Sequence, residues 1–433
     1  MDALPISSLT EEKFAIAFEN FRENILKDPL EHFIKAKGFM NFRPTPAQSV
    51  ALKVIFGQCL DDSKKYMVHE ESPQSGTPFA LREASLTEVE IYELMTGAKY
   101  DGNLVKARSR VNLIIGRRGG KTVLSAMLGI FGAIKTNWRP YLTKTPTATI
   151  AILSHTKELS EEILNLLRKF VEDSDILSRL IDPKERNTQS TFNLKVPFFE
   201  TNKKGEKVLV YSNVTIKVGA ASKKTIRGRA ICVLLCDEIA FWGSEERAAE
   251  RDEDILRAAT PSLLQFQEAG LLVKLSSPGI KQGVLYNEYI KRNELPDSHI
   301  TFKAPSWVWN TILREKDFLQ EYTLDPGGFS SEFRADFVDS ISSFISVEYV
   351  DFCTYKGASF FPPEPRKQDV TYSAAIDAAF KRDRFTFAIV GSVGGKVKQF
   401  IMKDWEGSPQ SPVKAFEVCQ YISNVCGPCP SFS

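Results

Sequence analysis

The stretch NLIIGRRGGKTVLSAM, residues 112–127, decides how the rest of the chain is read. An apolar run from Val111 to Ile115 meets a glycine-rich turn, then Lys121-Thr122 and an apolar pattern of helical period, which is how a phosphate-binding loop is built. A strand that enters a tight glycine turn and leaves as a helix aims successive backbone N–H groups and the helix N-terminus at one place, which favours a polyphosphate. Gly116, Arg118, Gly119, Gly120, Lys121 and Thr122 are the candidate cradle, with Lys121 reaching the outer phosphates of ATP and Thr122 ligating Mg²⁺. One position departs from the usual pattern. Ile115 stands where the first glycine is expected, Gly116 follows it, and Arg117 and Arg118 fill the loop. An ordinary glycine turn with a solvated lysine is the alternative.

A second motif bears on that choice. ICVLLCDEIAFW, residues 231–242, is a continuous apolar run ending in Asp237-Glu238, as expected of a buried central strand in a parallel sheet. An acid at the carboxyl end of such a strand lies beside the phosphate loop, because open α/β sheets bind ligands at that edge. Asp237 is then the candidate metal residue and Glu238 the base that orients and deprotonates water. LLVKLSSPGIKQG, residues 271–283, ends another strand in Ser276-Ser277, whose hydroxyls can bond a water next to the terminal phosphate; a plain Ser-Pro-Gly turn reads equally well.

Composition sets the frame. At 433 residues the chain exceeds what one core usually organises, so two domains are expected. Apolar runs fall well short of the ~20 residues of a membrane span. The N-terminus MDALPISSLTEEKF has acids and no apolar signal core, so synthesis is expected to leave the chain in the cytosol. Seven scattered cysteines suit reduced thiols, and Cys426/Cys429 form a single C-x-x-C without a second pair or nearby histidine. The net charge of +2 does not by itself point to nucleic acid, so any DNA contact must come from local clusters.

Residues 10–60 read as mostly helical, 61–80 as a polar stretch, and SLTEVEIYELMTG as a helix closed by Gly97. From Val111, strands (111–115, 148–153, 208–218, 231–236, 271–275) alternate with helices (120–135, 157–172), which predicts an α/β fold with a mostly parallel sheet. The expected domains are a helical region, 1–100, a phosphate-loop α/β domain, 101–345, and a C-terminal domain, 346–433.

The deviant loop, then Arg227-Gly228-Arg229 shortly before Cys236-Asp237-Glu238-Ile239-Ala240, then Ser276-Ser277-Pro278, resembles the large terminase subunit of tailed bacteriophages, over about residues 40–404. The resemblance implies an ATP-driven motor that packages double-stranded viral DNA into a procapsid in the bacterial host cytoplasm, with the portal protein and the small terminase subunit as partners and a homo-oligomeric ring as the active form. By matching position it implies that Gln48 in FRPTPAQSVALK reads adenine, that Arg117 stabilises charge on the transferred phosphoryl group, and that Arg227 acts at a neighbouring subunit's nucleotide; Arg229 stays open for that role, as does a merely basic loop. FKAPSWVWNT, residues 302–311, resembles the family's lid segment, its tryptophans being assigned to the core.

The C-terminal segment YSAAIDAAFKRDRFTFAIVGSVGGKVKQFIMKDWEG, residues 372–407, reads as three strands with a Gly394-Gly395 hairpin between the latter two. It resembles a ribonuclease H-like nuclease domain, in which Asp377 at the centre of the first strand, with Asp383 in the following turn, would help hold two Mg²⁺ or Mn²⁺ ions. A salt bridge from Asp377 to Lys381, Arg382 or Arg384 is the alternative. Further acids belong to elements beyond the helix expected at 411–425, so the nuclease reads as incomplete, with Asp404 and Glu406 as poor substitutes. A helicase-like translocase and a non-catalytic remnant that only binds DNA or portal are the rival readings.

Overall fold

The computed structural model describes residues 8–72, 79–102, 106–143, 145–242, 252–338, 371–378, 384–393, 396–406 and 413–426. Two compact units divide the chain, Met1–Ser342 and Ser343–Ser433.

The first unit begins with α1 (Glu11–Lys27), capped by the Thr10 hydroxyl on the Lys13 N–H and carrying Glu11 and Glu12 in its first turn, where the helix dipole favours acids. A single π-helical turn, Leu30–Ile34, follows. In α2 (Pro46–Phe56), Thr45 and Gln48 form a reciprocal capping box, Pro46 opens the helix, and Gly57 closes it at φ 74°. The polar stretch expected at 61–80 is instead part of a hairpin, β1 (Lys65–Glu71) against β2 (Leu81–Thr87). Its alternation is carried by Lys, His, Glu and Arg, which masks the period. Helix α3 (Glu88–Thr96) then ends at Gly97, as the sequence indicates.

The central sheet has seven strands: β3 (Arg110–Ile115), β4 (Thr147–Ser154), β5 (Thr191–Thr201), β6 (Lys207–Ala220), β7 (Ile231–Asp237), β8 (Leu271–Ser276) and β9 (His299–Ala304). Their order is β5-β6-β4-β7-β8-β3-β9. All neighbours are parallel except β5, which runs antiparallel to β6 at one edge. The fold is thus α/β with a mostly parallel sheet. Strands β5 and β9 extend the sheet beyond the sequence reading.

Between strands lie α4 (Lys121–Ile134), α5 (Lys157–Glu172), the short α6 (Lys223–Ile226), α7 (Asp252–Gln265) and α8 (Gly283–Ile290). Every residue of β7 is buried, and a fully buried Ile, Val or Leu side chain contributes ~1.5–3 kcal/mol. One large core joins α4, α5 and the sheet to the N-terminal helices, so residues 8–102 do not stand apart from the sheet. Phe131 of α4 packs on Phe33 and Phe56 with ring centroids 5.9 and 4.5 Å away. A smaller core lies on the other face, under α7 and α8. After β9 come α9 (Ser306–Trp309), α10 (Lys316–Leu324) and α11 (Pro326–Glu332); Trp307 and Trp309 are buried, as expected of core residues. Cys59, Cys232, Cys236 and Cys419 are free thiols, and Cys429 lies outside the described residues.

The second unit contains an antiparallel sheet of β10 (Thr371–Asp377), β11 (Arg384–Val393) and β12 (Lys396–Glu406), in that order, and a helix over Ala415–Cys426. Val393 pairs with Lys396 where β11 and β12 meet; Gly394 and Gly395, where the sequence predicts the hairpin turn, lie outside the described residues.

Candidate functional site

The phosphate loop is built by contacts on all sides. Gly120 takes φ 71° immediately before α4, a left-handed conformation that favours glycine. At Gly116 a Cβ would sit 2.3 Å from the Ser306 hydroxyl and 2.7 Å from the Phe333 carbonyl, so the loop tolerates no side chain there. That closeness explains the glycine one position late: α9 and the end of α11 lie directly against it. Ser306 Oγ donates to the Arg117 carbonyl (2.7 Å), Asn310 Nδ2 to the Arg118 carbonyl (3.0 Å), and the Arg117 N–H to the Glu332 carbonyl (2.6 Å). The Arg117 guanidinium meets the Glu332 carboxylate at 2.5 Å. Burial pushes the Glu332 carboxyl up, against the pull of Arg117.

Gln48 closes the opposite side. Its amide donates to the Gly119 carbonyl (3.3 Å) while its oxygen accepts from the Thr45 N–H (3.1 Å). The side chain is buried, unlike an isolated surface glutamine.

Across the loop stand the acids. Lys121 Nζ donates to the Ile115 carbonyl (3.1 Å) and lies 3.4 Å from Glu238 Oε1. Glu238 holds φ 50°, ψ 42°, a left-handed conformation uncommon for a residue with a side chain. That kink turns its carboxylate sideways along the sheet edge, where Oε2 accepts from the Ser276 hydroxyl (3.0 Å) and the Ser277 N–H (3.1 Å). Topology makes this possible: β8 lies between β7 and the loop strand β3, pairing Leu275 with Asp237 and Ser276 with Ile114. The strand order brings Lys121, Glu238 and Ser276 together from three adjacent strand ends.

Asp237 is 7% exposed, and its carboxylate accepts only the Ser154 hydroxyl, at 3.4 Å, among the described residues. Burial first, then the charge of Glu238, pushes its carboxyl up to about 7, with Lys121 and Ser154 pulling the other way. A buried carboxyl so thinly bonded calls for a cation, and one carboxylate plus one hydroxyl, completed by phosphate oxygens and water, suits Mg²⁺. Thr122, exposed at the second position of α4, offers that hydroxyl.

Residues 81–334 match the family described as "Uncharacterized protein MJ0330, N-terminal P-loop domain". The chain belongs to that P-loop family. Among solved structures it is similar to the large terminase of bacteriophage HK97 (17% identity, 75% of this chain and 71% of that one, TM-score 0.41). It is similar also to the large terminase of a thermophilic bacteriophage in complex with ADP (13% identity, 74% and 69%, TM-score 0.38). A third match is the large terminase ATPase domain of Thermus phage P74-26 (18% identity, 57% and 97%, TM-score 0.39). No curated protein matches the chain.

In this member of the P-loop family the two candidate arginines of the crossover into β7 differ. Arg227 is exposed at the end of α6, whereas Arg229 Nε is bound to the Thr225 carbonyl at 3.0 Å. The C-terminal acids are not gathered. Asp377 is not central: β10 ends on it, opposite Thr386, and it is exposed, because the chain must turn back within six residues to begin β11. Arg384 bonds Asp404 (2.8 Å) and lies 3.5 Å from Glu406, so it serves those acids. Asp404 does share a row with Asp377, both flanking Thr386, but one whole strand separates them. Asp383, Lys381 and Arg382 lie outside the described residues. Among the described residues no group of three or more His, Cys, Asp or Glu could hold a metal, and no helix is long and apolar enough to cross a membrane.

Sequence reasoning missed Ser154, Ser306, Asn310 and Glu332. Ser154 carried a signal, a hydroxyl at the carboxyl end of a parallel strand like Ser276; the other three had none, since their partners Arg117 and Arg118 lie far earlier in the chain.

Proposed function

We propose that this protein is an ATPase motor of the terminase type that drives double-stranded DNA into a procapsid. The observation that carries the reading is the Glu238 carboxylate, turned by a left-handed backbone onto Ser276 and Ser277 and held 3.4 Å from the loop lysine. An acid in that position is set to orient and deprotonate a water aimed at a terminal phosphate, which is more than nucleotide binding requires. Gly116, Arg118, Gly119 and Gly120 provide the cradle, Lys121 neutralises the outer phosphates, and Gln48 lies on the side where the base would enter. Magnesium, held through Thr122 and Asp237, would supply charge neutralisation on the phosphates.

Arg117 and Arg227 are the cations for charge developing on the phosphoryl group, Arg117 from its own loop and Arg227 from the neighbouring subunit of a ring. Its exposure, beside the internally bonded Arg229, favours Arg227 for the reach across a subunit boundary. Exchange of Glu332 for phosphate at Arg117 would release α11 from the loop, linking nucleotide state to lid movement and so to stepping along DNA. Portal and small terminase subunit are the partners this reading implies, in the host cytoplasm. The C-terminal unit is assigned to a ribonuclease H-like nuclease fold, with Asp377 and Asp383 at its metal positions and cleavage by this chain not expected.

The test is ATP hydrolysis by the purified chain with and without linear duplex DNA. Turnover stimulated by duplex supports a DNA motor; turnover indifferent to DNA refutes it.

A further inference from the structure

The central sheet is covered unequally. On one face the inward residues of its outer wing, Phe192, Leu194, Val196 and Phe198 of β5 and Val214, Ile216 and Val218 of β6, all enter the large core. On the other face the smaller core takes residues from β3, β4, β7 and β8 and none from β5 or β6. In a mostly parallel sheet, where helices normally cover both faces, a wing that the smaller core does not reach is unusual, although Asn193 and Pro197 are buried on it, Asn193 bonded to Arg186 and Asn187.

The outward positions of that wing suit water and anions. Pairing of Thr191 with Lys217, Asn193 with Thr215, Lys195 with Asn213, Pro197 with Tyr211, Phe199 with Leu209 and Thr201 with Lys207 puts these residues on one face, and no strand position on it is Asp or Glu. Arg229 stands next to Lys217; burial first, then the charge of Arg229, pushes the Lys217 amine down. Lys195 Nζ sits 3.8 Å from the Tyr211 ring centre. Glu11 of α1 accepts from the Tyr211 hydroxyl at 3.2 Å. Among the described residues, Lys195, Lys207, Lys217 and Arg229 form no ion pair, although Lys223 in the same crossover is paired with Asp254.

We infer that this wing face binds the sugar-phosphate backbone of duplex DNA. From Lys207 to Lys217 the strand rises ~33 Å, close to the ~34 Å of one duplex turn, with cations spread along it and the Asn213 amide between them. Phosphate contacts need those groups and no base reading. A protein partner of ordinary size would want an apolar centre, whereas the apolar pair of this face, Phe199 opposite Leu209, lies next to the end of the β5–β6 ladder and cations occupy the rest. Single-stranded nucleic acid would want open aromatic platforms, whereas Lys195 already covers the Tyr211 ring. The inference rests on the DNA-motor reading and names where the duplex lies.

The experiment is fluorescence anisotropy of the full chain with a labelled 30-base-pair duplex over a series of salt concentrations, comparing wild type with Lys195→Glu/Lys217→Glu and with the milder Lys195→Gln/Lys217→Gln. Loss of two phosphate contacts should lower the slope of log affinity against log salt by about 1.8 and weaken binding at low salt by tenfold or more, the Gln pair less than the Glu pair. ATP turnover without DNA should be unchanged in both, which certifies the fold. Wild-type binding that the variants share, in affinity and slope, overturns the surface and leaves the motor reading intact. A wild-type chain that binds no duplex overturns both. A single-stranded RNA of equal length that competes better than the duplex overturns the choice of partner.

Discussion

Asp237 and Asp377 both end β-strands, β7 and β10, yet among the described residues only one is surrounded by groups with which it could work. Asp237 closes a strand buried along its whole length, and strand order sets Ser154, Lys121, Glu238 and Ser276 around the same edge. Asp377 closes an exposed strand end, and the two acids nearest its row are taken by Arg384. A strand-ending acid is therefore no evidence of chemistry until the neighbouring strand ends are known. Parallel order supplies them in the first unit, because each crossover returns the next strand to the same edge.

The sharpest way to break the comparison is at the first edge. Lys121→Ala should abolish nucleotide binding, whereas Glu238→Gln should bind nucleotide and lose turnover on the order of 10²–10⁴-fold, since only water activation is removed. Equilibrium binding of a fluorescent ATP analogue and steady-state hydrolysis separate the two. Glu238→Gln hydrolysing like wild type would reduce Asp237-Glu238 to the same standing as Asp377.

The loop, the acid strand and the alternation of strands and helices were legible because each is local: a period, a glycine turn, a run of apolar residues ending in acid. The clamp was not. Ser306, Asn310 and Glu332 meet Arg117 and Arg118 only after the chain has crossed the sheet, and nothing in their own neighbourhoods marks them. Glu238's left-handed backbone was equally invisible, since no glycine announces it. At Asp377 the sequence misled for a stated reason: Ala378-Ala379 prolongs the apolar run, while the return to Arg384 ends the strand one residue after Ile376.

Arg227 comes next. If it serves a neighbour's nucleotide, turnover per subunit rises with protein concentration, Arg227→Ala lowers it by roughly 10³-fold, and mixing Arg227→Ala with Glu238→Gln restores part of it, each supplying what the other lacks. A rate independent of concentration, with no recovery on mixing, assigns the whole site to one chain.

The units can also be told apart by pH. Burial pushes the Lys135 amine, which donates to the Ala269 carbonyl at 2.8 Å, down to about 8. In the unfolded chain it titrates near 10.5, so between these values the unfolded state holds the extra proton and stability of the first unit rises with pH, at up to ~1.4 kcal/mol per unit. Below pH 8 the folded state carries the cost of a half-buried ammonium. Lys135→Met should therefore raise the first unit's melting temperature at pH 7, flatten that rise between pH 8 and 10, and leave any separate transition of the second unit in place. Calorimetry across this range decides it; an unchanged slope in the variant removes Lys135 as the cause.

The smallest expected effect is none. Asp377→Ala should alter neither ATP turnover nor plasmid integrity in Mn²⁺, because two-metal cleavage needs ions ~3.5–4 Å apart held by shared carboxylates. Asp377 is exposed, and its row-mate Asp404 stands two strand spacings away, ~9.6 Å, with its charge already matched by Arg384. One carboxylate so placed holds one ion weakly and positions no second. Supercoiled and linear plasmid incubated with the purified chain and Mn²⁺ should stay intact. Nicking that disappears in Asp377→Ala would restore the second unit to equal standing with the first, and the acid completing its site would then be sought first at Asp383, six residues further along the chain.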